Sequence, residues 1–187
     1  MLEVRSLGLG EVVEITPKRF RDARGFFTES WSRDAFSSAG FDFDFVQDNH
    51  SYSAPKGVLR GLHYQVPPVA QDKLLRVTRG SAFDVAVDIR RDSPDFGRWV
   101  GIVLSADVGN QIFVPRGYAH GFLTLEEHTE VQYKVTAPYD PNCDRAIRFD
   151  DPAIGVAWPL TGVSLILSDK DSQAPLLADA DLELDWT

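Results

Sequence analysis

The chain has 187 residues with 43% hydrophobic and 25% charged content and a net charge of −9. That describes one soluble globular domain, 1–187, and argues against a nucleic-acid binder, which needs a basic surface. A single cysteine, Cys143, excludes a disulfide scaffold or a cysteine zinc site. No apolar run is long enough to cross a membrane and the N-terminus lacks a basic-then-apolar leader, so the expectation is a cytoplasmic protein.

In chain order, 11–16 is expected to be a first strand and 18–24 a basic connection. The aromatic segment 25–31 is expected to be a second strand. Ser32 caps a short predicted helix over 33–39, which Gly40 ends. The segment 41–49 alternates, with Phe41, Phe43 and Phe45 on one face that Gln47 and Asn49 continue. It is expected to run as a strand from core into a polar cavity or into solvent.

The stretch 57–65, Gly-Val-Leu-Arg-Gly-Leu-His-Tyr-Gln, is a strand carrying side chains that a buried strand avoids. Alternation puts Leu59, Gly61, His63 and Gln65 on one face and Arg60 on the other. His63 beside a glycine and an amide suits the wall of a polar pocket, although a core histidine bonded to a carbonyl gives the same pattern.

Further strands are expected at 73–79 and at 81–90. In the latter, Phe83, Val85, Val87 and Ile89 share one face, and Asp84, Ala86 and Asp88 share the other. After a turn at 92–97, strands follow at 98–104, 110–114, 121–125, 130–136, 145–149 and 163–167, and 176–186 is expected to form a short acidic helix. Many short strands with Gly and Pro between them predict an all-β sandwich or jelly roll with a few short helices.

Gly109, five residues, Pro115-Arg116-Gly117, two residues and His120 match the second signature of the cupin jelly roll. The first signature of metal-binding cupins has a second histidine where this chain has Gln65. Only four histidines exist, His50, His63, His120 and His128, so a metal held by three of them and a carboxylate is not expected.

Longer segments carry a closer resemblance. They include Asp22-Ala23-Arg24-Gly25-Phe26-Phe27-Thr28-Glu29, Gln47-Asp48-Asn49-His50-Ser51, the 57–65 stretch, 71–77, 83–90, 93–99, 115–122, 133–141 and 167–171. In this set the chain resembles the dTDP-4-dehydrorhamnose 3,5-epimerases, sugar-nucleotide epimerases on a cupin barrel. The resemblance implies proton removal and return next to a ketone, without metal or other cofactor. It makes His63 the base, Asp171 its partner, Tyr133 the acid and Lys73 the group facing the ketone oxygen. It implies that Arg24 and Arg60 hold the diphosphate, and that His120 and Lys170 lie near sugar or phosphates. Glu29, Gln47 and Asn49 would bond base and sugar, Tyr139 would stack on thymine, and Asp144 stands where a glutamate is usual.

For Arg60 to share a cavity with His63, a bulge at Gly61 is needed. The resemblance also implies a homodimer in which 24–29 completes the neighbour's site. An epimerase acting at C3 or C5 alone, on a related dTDP-4-keto-deoxysugar, fits the same residues.

Overall fold

The structure, a computed structural model, describes residues 2–182, 185 and 186. Two antiparallel sheets carry the fold. The first contains β1 (Leu2–Ser6), β2 (Val13–Pro17), β5 (Gln47–Ser53), β7 (Lys73–Arg79), β10 (Gln111–Val114) and β12 (Thr129–Val135), in the order β1-β2-β10-β7-β12-β5. The second contains β6 (Leu59–Gln65), β8 (Ser81–Asp88), β9 (Trp99–Ser105), β11 (Tyr118–Thr124) and β13 (Asp144–Ala146), in the order β13-β6-β11-β8-β9. A separate hairpin pairs β3 (Arg19–Asp22) with β4 (Gly25–Thr28).

Three apolar layers follow from strand alternation. Leu75, Val77, Ile112, Val114 and Val131 of the first sheet meet Ala82, Ala86, Leu104 and Phe122 of the second. The opposite side of the second sheet, with Val85, Val87 and Ile89, is covered by Ile147, Ile154, Leu177, Ala180 and Trp186. The outer side of the first sheet, with Ile15, Leu74 and Phe113, is covered by Phe36 and the aromatics that follow it. The predicted faces of 81–90 are therefore the observed ones. Period-2 patterning specified them because both sides of this strand are buried.

Helix α1 (Arg33–Ser38) starts where expected, with Ser32 accepting from the Ala35 amide. Several other expectations change. The basic connection 18–24 contains β3, because Gly25, at φ +128°, reverses the chain into a hairpin. The strand after it ends at Thr28, three residues earlier than expected. The strand expected from Phe41 begins only at Gln47. Phe43 stacks on Phe113, 4.5 Å between centroids, outside the first sheet, whereas Gln47 and Asn49 line the space inside. The phenylalanines and amides do not share a face.

Segment 163–167 makes a single bridge, Val58 to Ile166, rather than a strand. The expected strand at 145–149 is the short β13, one residue earlier. Among the described residues of the tail, only Leu177–Asp179 turns, as a 3-10 element. Leu177, Ala180 and Trp186 are buried against the second sheet, while 183 and 184 of this expectation lie outside the described residues. The sequence reading also missed β1, a charged edge strand, and α2 (Asp169–Ser172).

Candidate active site

A cavity of about 640 Å³ opens between the sheets at one end. That is enough for a sugar and much of a nucleotide. Its construction begins with β6. Opposite this strand on β11, His120 pairs with His63 but Phe122 pairs with Arg60, so β6 holds one extra residue. Gly61 takes it up at φ +131°, and a Cβ there would lie 2.5 Å from the Gly121 Cα. The bulge resets the alternation, and Arg60 and His63 line the same cavity. Leu59 and Leu62 stay buried on either side of it.

His63 Nε2 lies 2.5 Å from Asp171 Oδ1. The Ser168-Asp169-Lys170-Asp171 sequence fixes this carboxylate. Ser168 caps α2, accepting from the Asp171 amide at 3.1 Å, and its hydroxyl donates back to Asp171 Oδ2 at 2.8 Å. Asp171 is 3% exposed. Burial alone would raise its pKa. Hydrogen bonds from His63, Ser168 and the Gly61 amide outweigh that, and the net shift is downward. The carboxylate thus stays ionised beside the imidazole.

The other sheet contributes Lys73 and Tyr133, on the adjacent strands β7 and β12. Lys73 Nζ donates to the His63 carbonyl at 3.3 Å. Burial pulls its pKa down to about 8, against the opposing pull of Asp144 and Asp84. Burial pushes the Tyr133 phenol above its ordinary value, partly offset by Arg60. His120, 6% exposed, faces the cavity with Nε2 3.0 Å from the fully buried Asp84. The carboxylate in the middle of 81–90 is therefore pocket support, not surface.

The mouth is a chain of polar contacts. Gln47 donates to Asn49 at 2.8 Å and accepts from the Tyr139 amide at 3.1 Å. The Tyr139 hydroxyl donates to Asp144 at 3.1 Å, and Asp144 also pairs with Lys170. Gln65 is a strut: it bonds Val69 O, Pro138 O and the Asp140 amide, holding the loop that presents Tyr139. Arg60 reaches back to the Tyr52 carbonyl at 3.4 Å.

All the candidate residues named from the sequence line this cavity except Arg24 and Glu29. Arg24 is on the exposed hairpin, paired with Asp22, and Glu29 is exposed just beyond it. Asp84 and Ser168 were not selected from the sequence as site residues. The signal for Ser168 was present in its capping spacing to Asp171, whereas nothing local in 81–90 names His120 as the partner of Asp84. Among the described residues, no group of three or more His, Cys, Asp or Glu side chains is placed to hold a metal ion.

An antiparallel jelly roll of cupin type, with His63 of one sheet backed by Asp171 of α2 and a buried lysine and half-buried phenol on the other, matches the class that the sequence resembles, the sugar-nucleotide epimerase barrels. Its solved neighbours include a dTDP-6-deoxy-D-glucose-3,5-epimerase from Legionella pneumophila in complex with dTDP-4-keto-L-rhamnose. That structure matches with TM-score 0.92 and 43% identity over 97% of this chain and 95% of the other. The family model for dTDP-4-dehydrorhamnose 3,5-epimerase matches residues 6–179, and the chain belongs to that family. A Sinorhizobium fredii dTDP-4-dehydrorhamnose 3,5-epimerase is 49% identical over 94% of this chain and 89% of its own length. The Pseudomonas aeruginosa protein of the same name is 49% identical over 96% of this chain and 98% of its own.

Proposed function

We propose that the chain epimerises a dTDP-4-keto-6-deoxyhexose at C3 and C5, giving dTDP-4-dehydro-L-rhamnose, with His63, Asp171, Lys73 and Tyr133 as the catalytic set. The observation that carries this reading is the opposition of His63, on one sheet and backed by Asp171 of α2, to Lys73 and Tyr133 on the other sheet, within one cavity. A ketone at C4 acidifies the protons at C3 and C5. With Nε2 held by Asp171, Nδ1 of His63 takes such a proton, and the ionised carboxylate stabilises the imidazolium. Lys73 donates to the enolate oxygen. Tyr133 returns a proton from the opposite face, which inverts the carbon.

The mouth holds the nucleotide. Arg60 pairs with the diphosphate, His120 and Lys170 approach sugar or phosphates, Gln47, Asn49 and Asp144 bond the polar groups, and Tyr139 stacks on the base. Arg24 and Glu29 reach the site of a second copy in a homodimer. The exposure of Phe20, Phe26 and Phe27 on the same hairpin supports this, since apolar side chains so grouped suit a covered face. The reaction needs no cofactor, and the protein works in the cytoplasm; among the described residues no helix is long and apolar enough to cross a membrane.

Turnover of dTDP-4-keto-6-deoxyglucose in deuterated water tests the reaction. Two deuterons per product are expected, and one would restrict the chemistry to a single carbon. Tyr133→Phe is expected to lower turnover about 10²-fold, the weight of a general acid. Unchanged turnover in that variant would remove the phenol from its role.

The Lys73 ammonium should set an alkaline limb. It is a cation below about pH 8 and neutral above it, so enolate stabilisation is lost as pH rises. Tyr133, shifted upward, titrates later. The expected kcat/KM profile therefore falls above about pH 8, and Lys73→Met should abolish that limb along with most activity. A wild-type profile flat to about pH 9.5 would contradict the assignment, because kcat/KM reports the free enzyme.

A further inference from the structure

The β3–β4 hairpin forms a two-stranded sheet of its own. A free hairpin is marginally stable in water, so the direction of this one is set by what it touches. Most of its basic side chains stay within it. Lys18 lies over Phe20, Arg21 near Phe26, and Arg24 pairs with Asp22. Arg19 instead leaves the hairpin. Its Nη1 donates to the Asp107 carbonyl at 2.6 Å and its Nη2 to the Ala106 carbonyl at 2.7 Å, both in the turn between β9 and β10. Among the described residues, no other side-chain hydrogen bond joins 18–29 to the rest of the fold. Gly109 makes room for this clamp. It sits at φ +77°, and a Cβ there would lie 2.2 Å from Nη2 of Arg19. From β4, the Phe26 ring packs on the same guanidinium, its centroid 4.2 Å from Cζ.

We propose that Arg19 is a positioning residue that acts in trans, its clamp on the β9–β10 turn aiming the hairpin so that Arg24 and Glu29 stand at the substrate site of a second copy. The planar fork suits the task, since two carbonyls fix its orientation where a single bond would leave a pivot. The exit of the hairpin is held separately, by Gln111 donating to the Ser30 carbonyl at 2.7 Å. Arg24 stands beyond the clamp at the tip, so a change of angle at Arg19 displaces it most. The inference rests on the reading that this hairpin completes a neighbour's site.

The test uses mixed dimers, made by co-expressing two differently tagged chains and selecting for both tags. Arg19→Ala alone is expected to raise KM about tenfold with kcat within about twofold, the pattern of lost binding contacts. Arg19→Lys, which keeps the charge but not the fork, is expected to fall between it and the wild type. Paired with His63→Ala, the Arg19→Ala chain keeps its own base and receives an intact hairpin, so the mixed dimer should turn over with the wild-type KM. A KM that stays raised in that dimer would make Arg19 a local structural residue and overturn the proposal, as would an unchanged KM in Arg19→Ala alone. Arg24→Ala paired with His63→Ala is the control. If Arg24→Ala alone raises KM and this dimer also keeps the raised value, or if no mixed dimer forms, the reading of the hairpin falls, and the role of Arg19 with it.

Discussion

His63→Ala is expected to lower kcat by on the order of 10³–10⁴-fold while dTDP still binds, because it removes the one group that can take the α-proton near neutral pH. The pair it forms with Asp171 explains why the loss should be large. Asp171 is held by the Ser168 cap and the Gly61 amide, so its position does not depend on the imidazole. No other histidine can move in: His120, on the neighbouring strand, is already bound to Asp84. Deuterium exchange into substrate should vanish together with turnover, which separates loss of the base from slow product release. Exchange within tenfold of wild type would assign proton abstraction elsewhere.

Gly61→Ala is expected to destabilise the fold by about 3 kcal/mol and to cut activity as well. At φ +131° an L side chain is strained, and its Cβ would collide with backbone on β11, which cannot swing aside as a flexible side chain would. The strand would have to shed its bulge or part from its neighbour. Either change moves Arg60 and His63 relative to each other and breaks the Gly61 amide bond to Asp171. Urea denaturation at fixed pH measures the first effect, and the same preparation assayed for turnover measures the second. A variant within about 1 kcal/mol of wild type would show that the bulge tolerates a side chain. The paired loss of stability and activity is what sets this position apart from His63, whose replacement should spare the fold.

Much of this architecture was legible in the sequence where both faces of a strand have a defined neighbour. The segment 73–79 is observed with its expected bounds, and 81–90 has its expected faces. Legibility failed where tertiary contacts override local pattern. Phe41, Phe43 and Phe45 alternate as a strand does, but they pack as a cluster between α1 and Phe113, so the alternation does not report pairing. The acidic tail looked helical, yet at two of its described residues tertiary contacts take over, the Tyr64 hydroxyl bonding the Asp181 carbonyl and Trp186 packing against the sheet.

Within the cavity, residue types and family motifs named the side chains but not their supports. Asp84 acts through a partner 36 residues distant, and Gln65 reaches Pro138, 73 residues on, which no local spacing discloses. The bulge was the exception. The resemblance placed Arg60 at the diphosphate while alternation put it on the face opposite His63, and Gly61 between them permits the bulge that reconciles the two.

The cavity and the inter-sheet apolar layer are nearly disjoint. Among the described residues they share only Phe122 and Tyr133. Folding and chemistry therefore draw on different stretches of the same strands. Substitutions at the mouth can accumulate over generations without eroding the part that keeps the barrel shut, and a scaffold divided in this way can be handed a new sugar while its foundations stay as they were.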